Sequence, residues 1–472
     1  MKILLAISPS EGEVTSFSAP EFLKDFSVYP PLGLLAIATN VDPKHEIKVL
    51  DCDAKEYGIQ DVVNIAKEFK PDIFGISTVS RRIYSALTVC QKIREEFPET
   101  VIIAGGPHIN DFPIETMKLE VFDYALSGYA EDTFPRFVDI LSNGNNIDSL
   151  LKEIPGLYIK KGDEILFTFK NESPVLLDEL PYPRRDLVDL KDYFTLADNK
   201  QMTTMYTSRG CPYKCTFCDV QEKTYHFRST NSIVDEMEYI LSLGIDDIHI
   251  FDDTFNLGRK RVIDMCNEII KRGLKFSWSA RVRAHPADPE MLALMKKAGC
   301  NRLQCGVESL LPISLKNMKK KITLEHINDF FAACQKLEIS TLMYLILGFP
   351  EETPKYRDQI SDEIKKLNPT YIQVTVLYPL PQTSFYFDLL EDKFYKKDYW
   401  AEFFKNPVRD YCLPPCRPNK LHQEYLSLAL EIQKKFFFSP AFVLRELRRT
   451  LTLRLLLLKV LGAFKLFMHR SA

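Results

Sequence analysis

Short apolar runs alternate with amphipathic stretches in two sets along this 472-residue chain. That alternation limits the fold more than any other feature. In the first 145 residues the runs are 2–8, 46–51, 72–77, 101–105 and 123–127, with helical patterns at 32–41, 59–69, 86–97 and 132–143. A strand covered on both faces reads as a continuous apolar run, so this pattern predicts βαβ units around a parallel sheet. From residue 202 the alternation resumes, with strands expected at 202–208, 247–251, 275–280, 302–307, 341–347 and 371–376. The intervening helices are expected at 232–243, 259–271, 289–298, 324–337 and 354–367. Six such repeats predict a partial (β/α)6 barrel of the TIM type, with its chemistry at the carboxyl ends of the strands. Between the two sets, 156–159 and 165–169 flank Lys160-Lys161-Gly162-Asp163 and predict a hairpin. Pro174, Pro181 and Pro183 follow in a stretch of linker composition. The expected organisation is α/β throughout: a Rossmann-like domain at 1–145, a linker with hairpin at 146–200, a barrel at 201–385 and a helical region at 386–472.

Hydrophobic residues at 46% and charged residues at 26% exclude a disordered chain. The 61 Lys+Arg against 64 Asp+Glu give −3, so no global basic field points to nucleic acid, and no nucleic-acid partner is expected. Met1-Lys2 opens a short apolar run that ends at Ser8-Pro9-Ser10, which is not a secretory signal pattern. A reducing cytoplasm is the expected location, and the eleven cysteines are read as metal ligands or catalytic groups before disulfides.

An open α/β sheet binds its ligand just beyond the carboxyl ends of its strands. In the first domain those ends carry Ser8-Pro9, Asp51-Cys52-Asp53, Ser77-Thr78, Gly105-Gly106-Pro107-His108 and Ser127-Gly128. Small and hydroxylic residues there let a ligand approach the backbone closely. No G-x-G-x-x-G follows the first strand, which argues against a dinucleotide. Loops that are merely short and polar are the alternative.

The segment Thr207-Ser208-Arg209-Gly210-Cys211-Pro212-Tyr213-Lys214-Cys215-Thr216-Phe217-Cys218 carries three cysteines at C-x3-C-x2-C on one loop after a strand. Three thiolates there can hold three corners of an iron–sulfur cube, and a missing fourth protein ligand would leave one iron open. Structural zinc is the alternative, but it is normally closed by four protein ligands, and no fourth Cys or His lies at a usual spacing.

In this loop the sequence resembles the radical S-adenosylmethionine (SAM) superfamily. The resemblance implies that Cys211, Cys215 and Cys218 bind a [4Fe–4S] cluster whose open iron is chelated by SAM. It also implies that one electron then releases a 5′-deoxyadenosyl radical. By the same resemblance Phe217 packs near the adenine, Asp252 of Phe251-Asp252-Asp253-Thr254-Phe255 meets the methionine amino group, and Arg281 meets its carboxylate. Glu308 in Gly306-Val307-Glu308-Ser309 approaches SAM as in the family's G-x-E-S element. Gly348-Phe349-Pro350-Glu351-Glu352-Thr353 is similar to a G-F-P-G-E-T turn with Glu351 in place of the middle glycine, which puts a contact from Glu352 in doubt. Asp252 as a helix N-cap and Trp278 as plain core are the structural alternatives.

The amino-terminal domain is similar to the cobalamin-binding domains fused to radical enzymes. The likeness rests on Tyr29-Pro30-Pro31-Leu32-Gly33-Leu34-Leu35, Gly75-Ile76-Ser77, Ala104-Gly105-Gly106-Pro107-His108 and Asp123-Tyr124-Ala125-Leu126-Ser127-Gly128. It implies cobalamin contacts from Ser77, Gly105, Gly106, Ser127 and Gly128, with a vestigial, cofactor-free domain as the alternative. The D-x-H-x-x-G motif is absent, so His108 is expected to be a loop imidazole near phosphates and not a cobalt ligand.

Cys412-Leu413-Pro414-Pro415-Cys416 has no third partner and is read as ordinary loop thiols. From 442 onward seven Lys/Arg face one Glu446, a net +6 that leaves −9 for the rest of the chain. Its apolar runs are far shorter than the ~20 residues that span a bilayer. A basic amphipathic helix at the inner membrane face and a helix packed on the barrel or a dimer partner are both open.

The resemblance implies methylation of an unactivated carbon through methylcobalamin and the deoxyadenosyl radical. A non-methylating oxidative cyclase or ring-rearranging enzyme is one alternative, and a non-catalytic cobalamin- or metal-binding regulator is another. The implied partners are a small-molecule or lipid-like substrate and an external one-electron reductant. No residue is assigned as an acid, base or nucleophile.

Overall fold

The computed structural model describes residues 1–14, 27–170, 176–195, 201–220 and 222–449. The described residues form two compact units, one drawn from 1–14, 29–170, 176–192 and 395–414, the other from 27–28, 193–195, 201–220, 222–394 and 415–449.

The first unit is built on β1 (Lys2–Ile7), β2 (Glu46–Leu50), β3 (Ile73–Ser77), β4 (Val101–Gly105), β5 (Tyr124–Leu126), β6 (Leu157–Lys161) and β7 (Glu164–Phe167), in the order β2-β1-β3-β4-β5-β6-β7. β1 shows why a parallel strand is apolar throughout: Ile3, Leu4, Leu5 and Ala6 are all buried. Its neighbours run parallel, with Ala6 opposite Leu50 on one side and Ile76 on the other. Ile3, Leu5, Leu35, Phe137 and Val138 belong to one core cluster.

The expected hairpin exists, but it is not part of a linker. β6 pairs antiparallel with β5, and β7 with β6, so the hairpin extends the sheet. β5 offers an otherwise unpaired edge, and Leu157 and Ile159 bury against it. The stretch expected as one region at 386–472 is also divided. Residues 395–414 join the first unit, where Trp400 and Phe404 pack against Phe112 at centroid distances of 5.3 and 5.2 Å.

The second unit contains β8 (Thr203–Met205), β9 (Asp247–Ile250), β10 (Ser277–Val282), β11 (Cys300–Glu308), β12 (Ser340–Leu347) and β13 (Tyr371–Val376). These pair in sequence order and all in parallel. Helices Thr230–Ser242, Arg259–Lys271, Pro289–Lys297, Leu324–Lys336 and Pro354–Leu367 connect them. Ser229, Asp288, Thr323 and Thr353 each cap a following helix with a side-chain oxygen, which satisfies an amide the helix itself leaves unbonded. Trp278 is core: it is fully buried, with its indole N–H on the Ala298 carbonyl at 2.8 Å. The first strand is shorter than expected because the chain leaves β8 at Tyr206 to enter the cysteine loop.

Helices Asn419–Phe437 and Pro440–Arg449 pack on β13. Gln433 accepts from the Val374 amide at 3.5 Å, Arg445 donates to the Pro369 and Thr370 carbonyls at 3.3 and 2.5 Å, and Tyr371 donates to Glu446 at 3.2 Å. The start of the basic stretch is therefore a docked helix, and residues 450–472 lie outside the described residues. Among the described residues no helix is long and apolar enough to cross a membrane. Charge-assisted bonds of this kind contribute about 1.5–3 kcal/mol each. Arg445→Ala should lower stability by about 2 kcal/mol in denaturant titration, and an unchanged midpoint would show that the helix is not anchored there.

Candidate functional site

The cysteine loop is fixed at its root by one carboxylate. Asp252, just past β9, is fully buried and accepts from the Thr207 amide (2.7 Å), the Ser208 amide (3.0 Å), the Thr207 hydroxyl (2.5 Å) and the Ser208 hydroxyl (2.6 Å). Arg261 lies 3.6 Å away. A carboxylate has about four acceptor positions, so all are filled and Asp252 has none left for a methionine amine. It is not a helix N-cap either, because Gly258 stands at the head of the next helix. Asp253, raised above the usual carboxylate range by burial, takes the Gly210 amide at 3.0 Å.

Gly210 sits at φ +82, and a Cβ there would overlap the Thr224 carbonyl oxygen. Ser208–Arg209 pairs antiparallel with His226–Phe227, and the Cys211 amide reaches the Glu222 carbonyl at 3.0 Å, so the loop is closed on itself. Cys211 is buried, with Sγ 3.4 Å from the Thr254 hydroxyl, while Cys215 and Cys218 are half-buried. Burial pushes the Cys218 thiol up to about 11. Thiolate ligation must overcome that shift, which makes metal binding release protons. Among the described residues no three His, Cys, Asp or Glu side chains converge on a single-ion site. A four-iron cube spreads its thiolates over separate irons, and three soft donors on a closed loop fit that larger group.

Phe217 packs edge-on to Phe349 at 6.2 Å, which brings the cysteine loop beside the turn after β12. Glu308 ends β11 at φ +67, beyond a register shift, and its Oε1 meets Lys320 Nζ at 2.8 Å in a buried pair. A Cβ on Gly306 would lie 3.1 Å from that ammonium and collide with the Glu308 carboxylate, which explains the glycine. A non-glycine residue in left-handed backbone is strained, and strain of this kind gathers at functional sites. Arg281 is exposed, with its guanidinium 4.1 Å from the Phe251 ring centre. Glu352 closes its own turn by accepting the Gly348 amide at 2.9 Å, and burial pushes its carboxyl up to about 7. Lys320, Arg261, Thr254 and Arg283 were not singled out from sequence. Among them only Lys320 carries a local signal, the Lys319-Lys320-Lys321 run whose outer members both stand at φ +55.

In the first unit the order 2-1-3-4-5 of the parallel strands places a ligand crevice at the carboxyl ends of β1 and β3. There Ser8 donates to Thr78 at 3.1 Å, and Arg82 and Ser85 hold the Ser8 and Pro9 carbonyls at 3.2 and 2.5 Å. Ser77, Gly105 and Gly106 come together: Gly106 stands at φ +92, and a Cβ there would lie 2.7 Å from Ser77 Oγ. Ser127 and Gly128 stand beyond β5; the Ser127 hydroxyl meets the Gly156 carbonyl at 3.1 Å and the Gly128 amide meets Asn110 at 2.7 Å.

His108 is not a loop imidazole facing phosphates. It is fully buried, with Nδ1 2.9 Å from Ser80 Oγ, Nε2 3.1 Å from Thr116 Oγ1, and its ring stacked on Phe404. Both ring nitrogens are engaged, and burial lowers its pKa to about 3.

A three-cysteine loop on a six-stranded parallel sheet, in one chain with a second sheet of flavodoxin-like order, is the arrangement expected of a radical SAM enzyme with an amino-terminal cofactor domain. Family models agree: the radical SAM superfamily matches residues 205–364, and the B12 binding domain matches 24–138. An uncharacterized methyltransferase of Pyrococcus horikoshii, PH0819, is 34% identical over 393 residues, covering 81% of this chain and 82% of that one. The anaerobic magnesium-protoporphyrin IX monomethyl ester cyclase of Rubrivivax gelatinosus is 24% identical over 384 residues, covering 79% and 67%. The fold matches the radical SAM methyltransferase TsrM of Kitasatospora setae, solved with cobalamin and a [4Fe–4S] cluster, at a TM-score of 0.68 and 20% identity over 83% of this chain and 78% of that one. It matches the cobalamin-dependent radical enzyme OxsB at 0.69 and 16% over 98% and 72%. The chain belongs to the cobalamin-dependent radical SAM enzymes. Its cofactors are a [4Fe–4S] cluster, SAM and cobalamin.

Breaking a buried ion pair by removing one partner costs about 3–5 kcal/mol. Lys320→Met should destabilise the protein by that order, and Lys320→Met with Glu308→Gln should recover much of the loss; equal losses would show that the pair is not coupled. For His108 the folded state resists protonation below its ordinary 6.5. The stability it contributes above pH 6.5 is therefore lost as pH falls toward 3, at about 1.4 kcal/mol per unit. Between pH 7 and 5 the wild type should lose about 2 kcal/mol more than His108→Gln; identical pH slopes would contradict the buried, neutral imidazole.

Proposed function

We propose that this enzyme transfers a methyl group from SAM to an unactivated carbon of a small-molecule substrate. The observation that carries the reading is the pairing, in one chain, of a three-cysteine loop beside the Phe217–Phe349 pair with a cobalamin-type sheet. The 34% identity to a methyltransferase supports it. When bound, the cluster and SAM would supply a radical that takes a hydrogen atom from the substrate carbon, and cobalamin would carry the methyl group. An unactivated carbon has no acidic proton for a side-chain base to remove, which is why such a cofactor pair is needed.

In this reading Cys211, Cys215 and Cys218 hold three irons, and Phe217 and Phe349 flank the adenine. Glu308, held by Lys320, and exposed Arg281 face the polar end of SAM. Asp252 orients the loop from behind. Ser77, Gly105, Gly106, Ser127 and Gly128 shape the cobalamin crevice, and His108 supports it from the core without ligating cobalt. The electron comes from an external one-electron reductant, and the cytoplasm is the compartment that keeps the thiols available. Peripheral membrane contact rests on 450–472 alone; equal soluble fractions with anionic liposomes for the full chain and for one ending at Arg449 would overturn it.

Anaerobic reconstitution with iron, sulfide and hydroxocobalamin should give both chromophores. Ala at positions 211, 215 or 218 should remove only the cluster absorbance and abolish 5′-deoxyadenosine formation. With methyl-labelled SAM the product should carry the label. Turnover to 5′-deoxyadenosine with an unlabelled product would instead favour the cyclase-type reaction named for the Rubrivivax gelatinosus relative.

A further inference from the structure

Arg283 lies just past the end of β10 and is 5% exposed. Its backbone is clamped by one side chain: the Asn256 carboxamide accepts the Arg283 amide at 3.0 Å and donates to its carbonyl at 2.9 Å. The guanidinium plane lies 3.7 Å from the centre of the Tyr213 ring, a residue of the cysteine loop. One terminal nitrogen donates to the Lys320 carbonyl, and the other points at Cys215 Sγ at 3.9 Å. Nε is buried with no partner among the described residues.

No carboxylate among the described residues lies within ion-pair distance of this side chain, although Lys320, its neighbour, is paired with Glu308. A guanidinium stays charged at any working pH. Buried without an anion, it is costly, because the protein interior does not replace the water it loses. The guanidinium contacts, Tyr213, Cys215 and Lys320, come from the cysteine loop and from the segment packed on that loop, where the Thr216 amide also bonds to the Met318 carbonyl at 3.1 Å.

We propose that Arg283 is the counter-cation of the cluster, a positioning residue that donates to the Cys215 thiolate and raises the cluster's reduction potential. Adding an electron makes the cluster more negative, and a fixed neighbouring cation in a low-dielectric setting favours that state. Hydrogen bonds to cluster sulfur act in the same direction on the potential. Tyr213 and Lys320 hold the guanidinium in place, so the same residue joins the cluster loop to the segment that carries the Glu308 partner. The sequence offers no hint of this, because an arginine two positions beyond Arg281 reads as one more strand-end charge.

The inference rests on Cys215 being a cluster ligand, and the two stand or fall separately. If reconstituted Cys215→Ala keeps full iron, sulfide and cluster absorbance, the ligand assignment fails. The inference itself is tested on reconstituted full-length protein by anaerobic redox titration followed by electron paramagnetic resonance. At a fixed solution potential, Arg283→Gln should show at least a tenfold lower ratio of reduced to oxidised cluster, about 59 mV for one electron. Arg283→Lys, which keeps the charge, should lie nearer the wild type. A potential unchanged in Arg283→Gln with intact cluster content, or equal shifts in both variants, would overturn the proposal. Wild-type protein labelled with guanidino-15N arginine gives a reading that needs no variant to fold. Pulsed resonance on the reduced cluster should show a weak 15N coupling, and its absence would overturn the proposal as well.

Discussion

A single buried carboxylate decides where the chemistry of the second unit is placed. Asp252 has no exposed surface, and its four acceptor positions are taken by the amides and hydroxyls of Thr207 and Ser208. Those two residues form the root of the cysteine loop, so Asp252 sets the direction in which the loop departs from β8. Arg261 lies against the carboxylate and also donates to the Thr207 hydroxyl at 2.7 Å, which balances the buried charge. Without Asp252, four buried donors would lose their partners at once, and each would carry its own desolvation penalty. The three cysteines depend on this anchor although it touches none of them.

The parts legible in sequence were those set by local periodicity and by a dense motif. Helices Ile59–Phe69, Arg259–Lys271 and Pro354–Leu367 and strands Val101–Gly105 and Tyr371–Val376 coincide with their expected ranges, because a 3.6 or continuous apolar period needs no distant partner. The cysteine loop was legible for the same reason, with twelve adjacent residues carrying its chemistry. What was not legible depends on contacts between residues far apart in the chain. His108 follows two glycines at a strand end, and its burial is set by Trp400 and Phe404, nearly three hundred residues away. Lys320 meets Glu308, twelve residues earlier, from a segment whose two flanking lysines take left-handed backbone. The edge on which Leu157–Lys161 pairs is likewise invisible until the sheet exists. Asp252 shows a subtler difference: its position at a strand end was evident, but which hydrogen-bond donors saturate it was not.

The departure at Glu351 shows how a motif is weighed by conformation and not by identity. A glycine is needed where φ is positive or where a Cβ would collide. In this turn the positive angle belongs to Gly348, at φ +97, and Glu351 is not among the residues in left-handed backbone. The conformational reason for glycine is therefore absent at 351. The new side chain is used instead: its carboxylate accepts from Ser314 at 3.1 Å and Asn317 at 2.5 Å, tying the turn to helix Pro312–Asn317. The lysine segment that holds Glu308 and Arg283 follows directly from that helix. Glu352, left in its usual place, closes the turn through the Gly348 amide, and Arg417 holds the Gly348 carbonyl at 2.8 Å. Glu351 thus makes the turn a brace between the Phe217–Phe349 pair and the helix that leads into the Lys319–Lys321 segment.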